Sequence, residues 1–178
     1  VSNIKTSPSK VEYEIVYKDE AGVTQGASGS ISPSAGSATK KILFGTESSG
    51  HRKCDKGVSG GDITLRYRND EGKLTSKLTG KFAVVEGDTT LTLGKFTLEL
   101  AKATKDKFVI IETEGLPKAV DGTVTAGPIG VFSSGKSTAL SGTVTLSGEG
   151  TIKVYSSSKW VELTGDKTST LGIFVKTK

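Results

Sequence analysis

Apolar and polar residues alternate along most of this chain, and the stripes of period 3.6 that mark helices are missing. Residues 11–17 read VEYEIVY and set Val11, Tyr13, Ile15 and Tyr17 on one side, which predicts a half-buried strand. Asp19-Glu20-Ala21-Gly22 is a turn. Residues 62–68 alternate again, with Ile63, Leu65 and Tyr67 on one face. Asn69-Asp70-Glu71-Gly72 closes that run, and residues 73–79 return, so the segment predicts a β-hairpin. Further strands are expected at 40–44, 82–86, 89–93, 96–100 and 108–112, with one helical turn over 101–107. The last third predicts strands at 120–125, 129–132, 138–146, 151–155, 160–163 and 171–176.

Two stretches interrupt the pattern. Residues 26–39 (GASGSISPSAGSAT) are the least hydrophobic and predict a loop, or an edge broken at Pro33. Residues 45–61 predict a second long loop, and loops of that length are often functional. Residues 1–10 are polar and read as a peripheral arm.

These elements point to an all-β fold, an antiparallel β-sandwich or jelly roll of about 8–12 short strands with at most one helical turn. Strands alternating with helices of 10–15 residues do not occur, which argues against a doubly wound α/β fold. The length of 178 residues fits a single domain over 1–178. Composition agrees: Ser and Thr make about a quarter of the chain and Gly contributes 23 residues, which favours strands and turns over helices. Internal repetition is limited to one echo, in which residues 121–130 and 141–150 share Gly-Thr-Val-Thr and a closing Gly; two copies are too few for a solenoid.

Charge and cysteine content narrow the function classes. No apolar run reaches the length of a membrane-spanning helix. One Cys forbids an intrachain disulfide, and one His leaves a zinc site short of ligands. Amides are confined to Asn3, Gln25 and Asn69, and no N-glycosylation acceptor occurs. The net charge of +5 is spread, with 24 Lys and Arg but no basic block, so sequence-specific nucleic-acid binding is not expected. A chain beginning at Val1 suggests signal-peptide removal, precursor cleavage or a chosen start. The expected location is extracellular, on a cell surface or in a virion.

Several residues carry candidate chemistry. Gly130–Ser137 (GVFSSGKS) satisfies the phosphate-loop pattern G-x-x-x-x-G-K-[ST]. That loop must open a helix, however, and the residues that follow read as a strand, so a hairpin turn is expected here. His51 and Cys54 share one loop with Arg52, Lys53, Asp55 and Lys56; a thiol nucleophile is conceivable, but an exposed polar loop explains the run more simply. Arg66 and Arg68 should occupy the solvent side of their strand and form a basic patch with Lys73 and Lys77. Trp160 is the sole Trp, either core packing or a platform for a sugar ring. Glu12, Glu14, Glu86, Glu99, Glu112 and Glu114 sit at alternating positions and read as outward strand charges rather than a glycosidase pair.

No catalytic set and no cofactor motif therefore stands out. The expected role is a non-enzymatic structural or assembly protein of a surface or particle, such as a coat, fibre or adhesin-type subunit, with self-association or a protein or glycan partner. A secreted glycan- or receptor-binding module is the alternative, using Arg66, Arg68, His51, Arg52 and Trp160, and a pore-forming toxin is a third.

Overall fold

In the computed structural model of the chain, Ile4, Pro8–Lys136 and Leu140–Lys178 are described. The N-terminal arm expected at 1–10 and the start of the strand expected at 138–146 lie partly outside these residues. The described residues form fifteen β-strands and one 3-10 turn, every strand pair being antiparallel. They divide into two compact units, Val1–Gly80 and Lys81–Lys178.

The first unit holds β1 (Lys10–Lys18), β2 (Thr24–Ile31), β3 (Gly45–Ser48), β4 (His51–Cys54), β5 (Gly60–Arg68) and the beginning of β6 (Leu74–Glu86). Its main sheet runs β6–β5–β1–β2, so β2 lies at the end. Two hairpins share one turn chemistry. At Asp19–Val23 the N–H of Gly22 donates to the Asp19 carbonyl, and the Asp19 carboxylate accepts the N–H groups of Ala21 and Val23. At Asn69–Lys73 the N–H of Gly72 donates to Asn69, whose side-chain oxygen accepts the Lys73 N–H. In each turn the closing glycine takes a φ of +75°, which costs any other side chain strain. The strand expected at 11–17 is present with the predicted face inward: Val11, Ile15 and Tyr17 are buried and Tyr13 is half-buried. Val11, Leu65 and Tyr67 form a small core, with Tyr13, Ile31, Ile63 and Leu78 against it.

The second unit begins within β6 and continues with β7 (Thr90–Leu93), β8 (Phe96–Leu100), β9 (Lys107–Glu112), β10 (Val124–Ser133), β11 (Gly142–Leu146), β12 (Thr151–Ser156), β13 (Lys159–Glu162), the 3-10 turn Thr164–Asp166, β14 (Lys167–Thr168) and β15 (Ile173–Thr177). One sheet runs β13–β12–β15–β10–β9–β6 and a second runs β14–β11–β8–β7. Alternation explains the packing. Leu91, Phe96, Leu98, Val144 and Leu146 from the smaller sheet share one buried cluster with Phe108, Ile110, Val131, Ile152, Val154 and Phe174 from the larger. Phe96 and Phe174 meet with ring centroids 5.4 Å apart. The arrangement is sandwich-like.

Several local expectations change. Residues 40–44 form no strand; Phe44 instead packs edge-on against Tyr17 at 4.8 Å. Residues 24–31, which overlap the loop expected at 26–39, form β2: Gly, Ser and Ala are poor strand formers, and the hydrogen bonds supplied by β1 are what hold the run extended. Residues 45–54 form the hairpin β3–β4. Residues 101–107 contain bends and no helical turn. The strands expected at 120–125 and 129–132 are one strand, β10, with register shifts between Val124 and Ile129. The Gly-Thr-Val-Thr echo is not a structural repeat: Gly122 has a φ of +91° before β10, whereas Gly142 opens β11 in the other sheet.

Candidate functional site

Arg66 and Arg68 stand on the face of β5 opposite the small core, across from the acidic residues of β1. The register pairs Glu12 with Arg66 and Lys10 with Arg68, and the side chains connect diagonally. Arg66 Nη2 reaches Glu14 Oε2 at 2.8 Å, and Arg68 Nε reaches Glu12 Oε2 at 2.9 Å. Lys10 adds a contact to Glu12 at 3.1 Å, and Arg68 also donates to the Gly72 carbonyl. Hydrogen bonds from Arg68 and then Lys10 hold the Glu12 carboxyl below its ordinary value. Both arginines are thus committed to carboxylates. The expected basic patch is a ladder of mixed charge instead, because the strand pairing brings β1 glutamates into reach.

On β2 this polar face carries only small hydroxyls and glycine, since Glu12 lies opposite Ser30 and Glu14 opposite Ser28. The step from long charged chains to small ones leaves a shallow depression of about 320 Å³ over Glu14, Arg66, Ser28 and Ser30. Beyond it β2 ends the sheet, and no strand among the described residues pairs with its outer side. Eight residues long and without charge, β2 differs from the other sheet ends. β13 has four residues and carries Lys159 and Glu162; β7 has four and β14 two. Charge and shortness normally protect such edges from further pairing. The missed signal was visible: residues 21–39 hold no charged side chain at all.

His51, Arg52 and Cys54 all lie exposed on β4. His51 faces Ser48 across the hairpin, Arg52 is bound to Glu47 at 2.8 Å, and Cys54 is an unpaired thiol opposite Gly45. The alternating register splits the sequence triplet, so His51 and Cys54 point to opposite faces of the ribbon. Asp55 does not join them: it accepts a 2.7 Å hydrogen bond from the buried Tyr17 hydroxyl. Burial, reinforced by Asp55, pushes the Tyr17 phenol up to about 12. Among the described residues no group of three or more His, Cys, Asp or Glu is placed to hold a metal ion.

Trp160 belongs to the second unit, on β13. Its indole N–H donates to the Lys118 carbonyl at 3.1 Å and its ring packs on Tyr155 with centroids 5.2 Å apart. The indole is thus tied at its N–H to Lys118, and its ring meets that of Tyr155 at a tilt of 60°.

The phosphate-loop pattern is a strand end and a turn. Gly130 to Ser133 are inside β10, and Ser137 lies outside the described residues. The Ser133 hydroxyl donates to Asp106 and accepts the Gly135 N–H. A side chain at Gly135 would collide with the Asp106 carboxylate, which lies directly against this turn.

A second groove, about 580 Å³, opens in the second unit where β7–β8, β10 and β11 end. Phe96, Ile129 and Leu146 floor it, and Glu112, Thr125 and Lys95 rim it. Glu112 accepts the Lys81 N–H at 2.8 Å. Nearby, lost hydration and then the charge of Glu112 raise the Glu114 carboxyl. Among the described residues no helix is long and apolar enough to cross a membrane. No protein-family model, no curated protein and no solved structure matches this chain.

Proposed function

We propose that this chain is a non-enzymatic structural subunit of an extracellular surface or particle, of the coat, fibre or adhesin kind, and that it joins its neighbour by adding a strand along β2. The observation that carries this reading is the contrast among sheet ends: β2 is long, uncharged and open, while β13, β7 and β14 are short, and β13 is also charged. An exposed strand edge offers a row of unpaired N–H and C=O groups, and pairing with another strand satisfies them. Small side chains on β2 leave room for a strand beside it. Light scattering across a concentration series, with electron microscopy of the concentrated sample, tests the reading. Mass should rise with concentration and fall again in a Ser28→Lys/Ser30→Lys variant. A monomer at every concentration would remove it.

The groove of the second unit favours a second reading, a glycan- or receptor-binding module. An apolar floor with a few polar rim groups is the usual make-up of a small-ligand site. Saturable binding on a glycan array, lost when Ser147→Arg fills the groove, would support it; an array without signal would not.

A further inference from the structure

Resting on the assembly reading above, we infer that the occupant of the β2 edge is the β2 strand of a second copy, paired antiparallel about a two-fold axis at Ala27. The register of β1 with β2 determines which groups face outward. The Asp19 N–H donates to the Val23 carbonyl at 3.1 Å, so that pair is a hydrogen-bonded one. Antiparallel strands alternate bonded and non-bonded pairs. Gln25, Ala27, Gly29 and Ile31 therefore turn their N–H and C=O groups toward Tyr17, Ile15, Tyr13 and Val11. Thr24, Gly26, Ser28 and Ser30 turn theirs outward.

A symmetric partner must match these outward groups with each other and keep the apolar faces on one side, so residues directly opposite must have the same parity. Every residue-centred axis meets both conditions, but away from Ala27 an outward residue falls opposite one outside the strand; centring on Gly26 sets Ser30 against Gly22. Centring on Ser28 sets Thr24 against Ser32, beyond the end of β2 and next to Pro33. Centring on Ala27 sets Thr24 against Ser30 and Gly26 against Ser28, in both directions. All four outward residues of both copies then find partners, eight hydrogen bonds in total. The side chains fit as well. On the polar face Thr24 meets Ser30, a hydroxyl pair that favours cross-strand contact. On the other face Ala27 meets Ala27, and Gln25 meets Gly29, over which the Tyr13 ring already lies. No charge opposes a like charge. A partner of different sequence would gain the same backbone bonds; the self-complementary order of small residues about Ala27 is what selects a second copy.

The register makes a positional prediction. Ala27 and its symmetry mate form a non-bonded pair, with Cα atoms about 4.5 Å apart, inside the range a disulfide spans. In a Cys54→Ser background, Ala27→Cys should give a covalent dimer under mild oxidation. Ser28→Cys, offset from its mate, should give much less. In the chain without an added cysteine, amide exchange supplies a second reading. With about nine-tenths of the chain paired, exchange at Gly26, Ser28 and Ser30 should slow about tenfold, while Ala27 and Gly29, bonded to β1 in either state, keep their rates. Crosslinking at Ser28 in preference to Ala27 would overturn the register. A mass that grows with concentration while Gly26, Ser28 and Ser30 exchange unchanged would overturn the inference and leave the assembly reading standing. A monomer throughout would overturn both.

Discussion

The two units of this chain hold β-structure together by different means. From Lys81 onward, two sheets enclose fourteen buried residues in one cluster, and three of them are phenylalanines. Up to Gly80, the cluster on the main sheet holds only three buried residues, Val11, Leu65 and Tyr67, with Ile15 and Tyr17 buried beside it, and the other face carries ion pairs among Lys10, Glu12, Glu14, Arg66 and Arg68. The difference shows what a second layer does. With a facing sheet, every inward side chain loses water on all sides and contributes its full apolar area. Without one, alternation still sorts side chains, but specificity falls to turns, cross-strand charges and the Tyr17–Asp55 hydrogen bond, each worth less. It also leaves the sheet with an end, β2, along which no strand among the described residues pairs.

Four measurements test this comparison. The largest effect is expected at the Phe96–Phe174 contact: Phe174→Ala should cost about 3–5 kcal/mol, read by denaturant unfolding with Trp160, the sole Trp, as the fluorescent reporter in that unit. Leu65→Ala should cost about 2 kcal/mol, the low end for such a truncation, because the small core leaves fewer contacts to lose; exchange at the Val11 and Tyr67 amides reads it. An equal cost at both sites would erase the distinction.

Tyr17→Phe removes one half-buried hydrogen bond, to Asp55, and should cost about 1 kcal/mol. The same residue predicts a response to alkali. Its phenol titrates at about 12 in the folded chain against an ordinary 10.0, so the folded state favours the neutral form. The contribution is complete below pH 10 and disappears as pH rises toward 12. A spectroscopic titration should show a late-ionising phenol that Tyr17→Phe abolishes. The smallest effect is expected at Glu12. Its carboxyl is held below the ordinary 4.5, so the stabilisation is present above that pH and is lost as pH falls through the lowered value. Glu12→Gln should flatten the acid limb of the stability curve, and added salt should reduce the difference between the two proteins.

Legibility followed the same physics. The strand 11–17 and the hairpin 62–79 were readable because alternation is local, and Asp19, Gly22, Asn69 and Gly72 mark their turns by side-chain chemistry. β2 was not, since Thr24–Ile31 has almost no hydrophobic contrast and becomes a strand only through the hydrogen bonds of β1. The segment 40–44 erred the other way: Ile42, Leu43 and Phe44 look like a strand, yet Phe44 is used in a ring contact with Tyr17. At the candidate sites, exposure of His51 and Arg52 was foreseeable. The pairing of Arg66 and Arg68 with Glu14 and Glu12 was not, because 52 positions separate Arg66 from the Glu14 that the register brings beside it.

By itself the sequence determined that this protein is built of strands and turns, and it determined the inward face of most of them, since a period of two requires no knowledge of neighbours. Only tertiary structure decided which strands lie side by side. That choice turned arginines from a patch into a ladder, set a carboxylate against the phosphate-loop look-alike, and left β2 at the end of its sheet. Edges, ion pairs and grooves all arise from strand order, and strand order is a property of the whole chain's packing rather than of any local run.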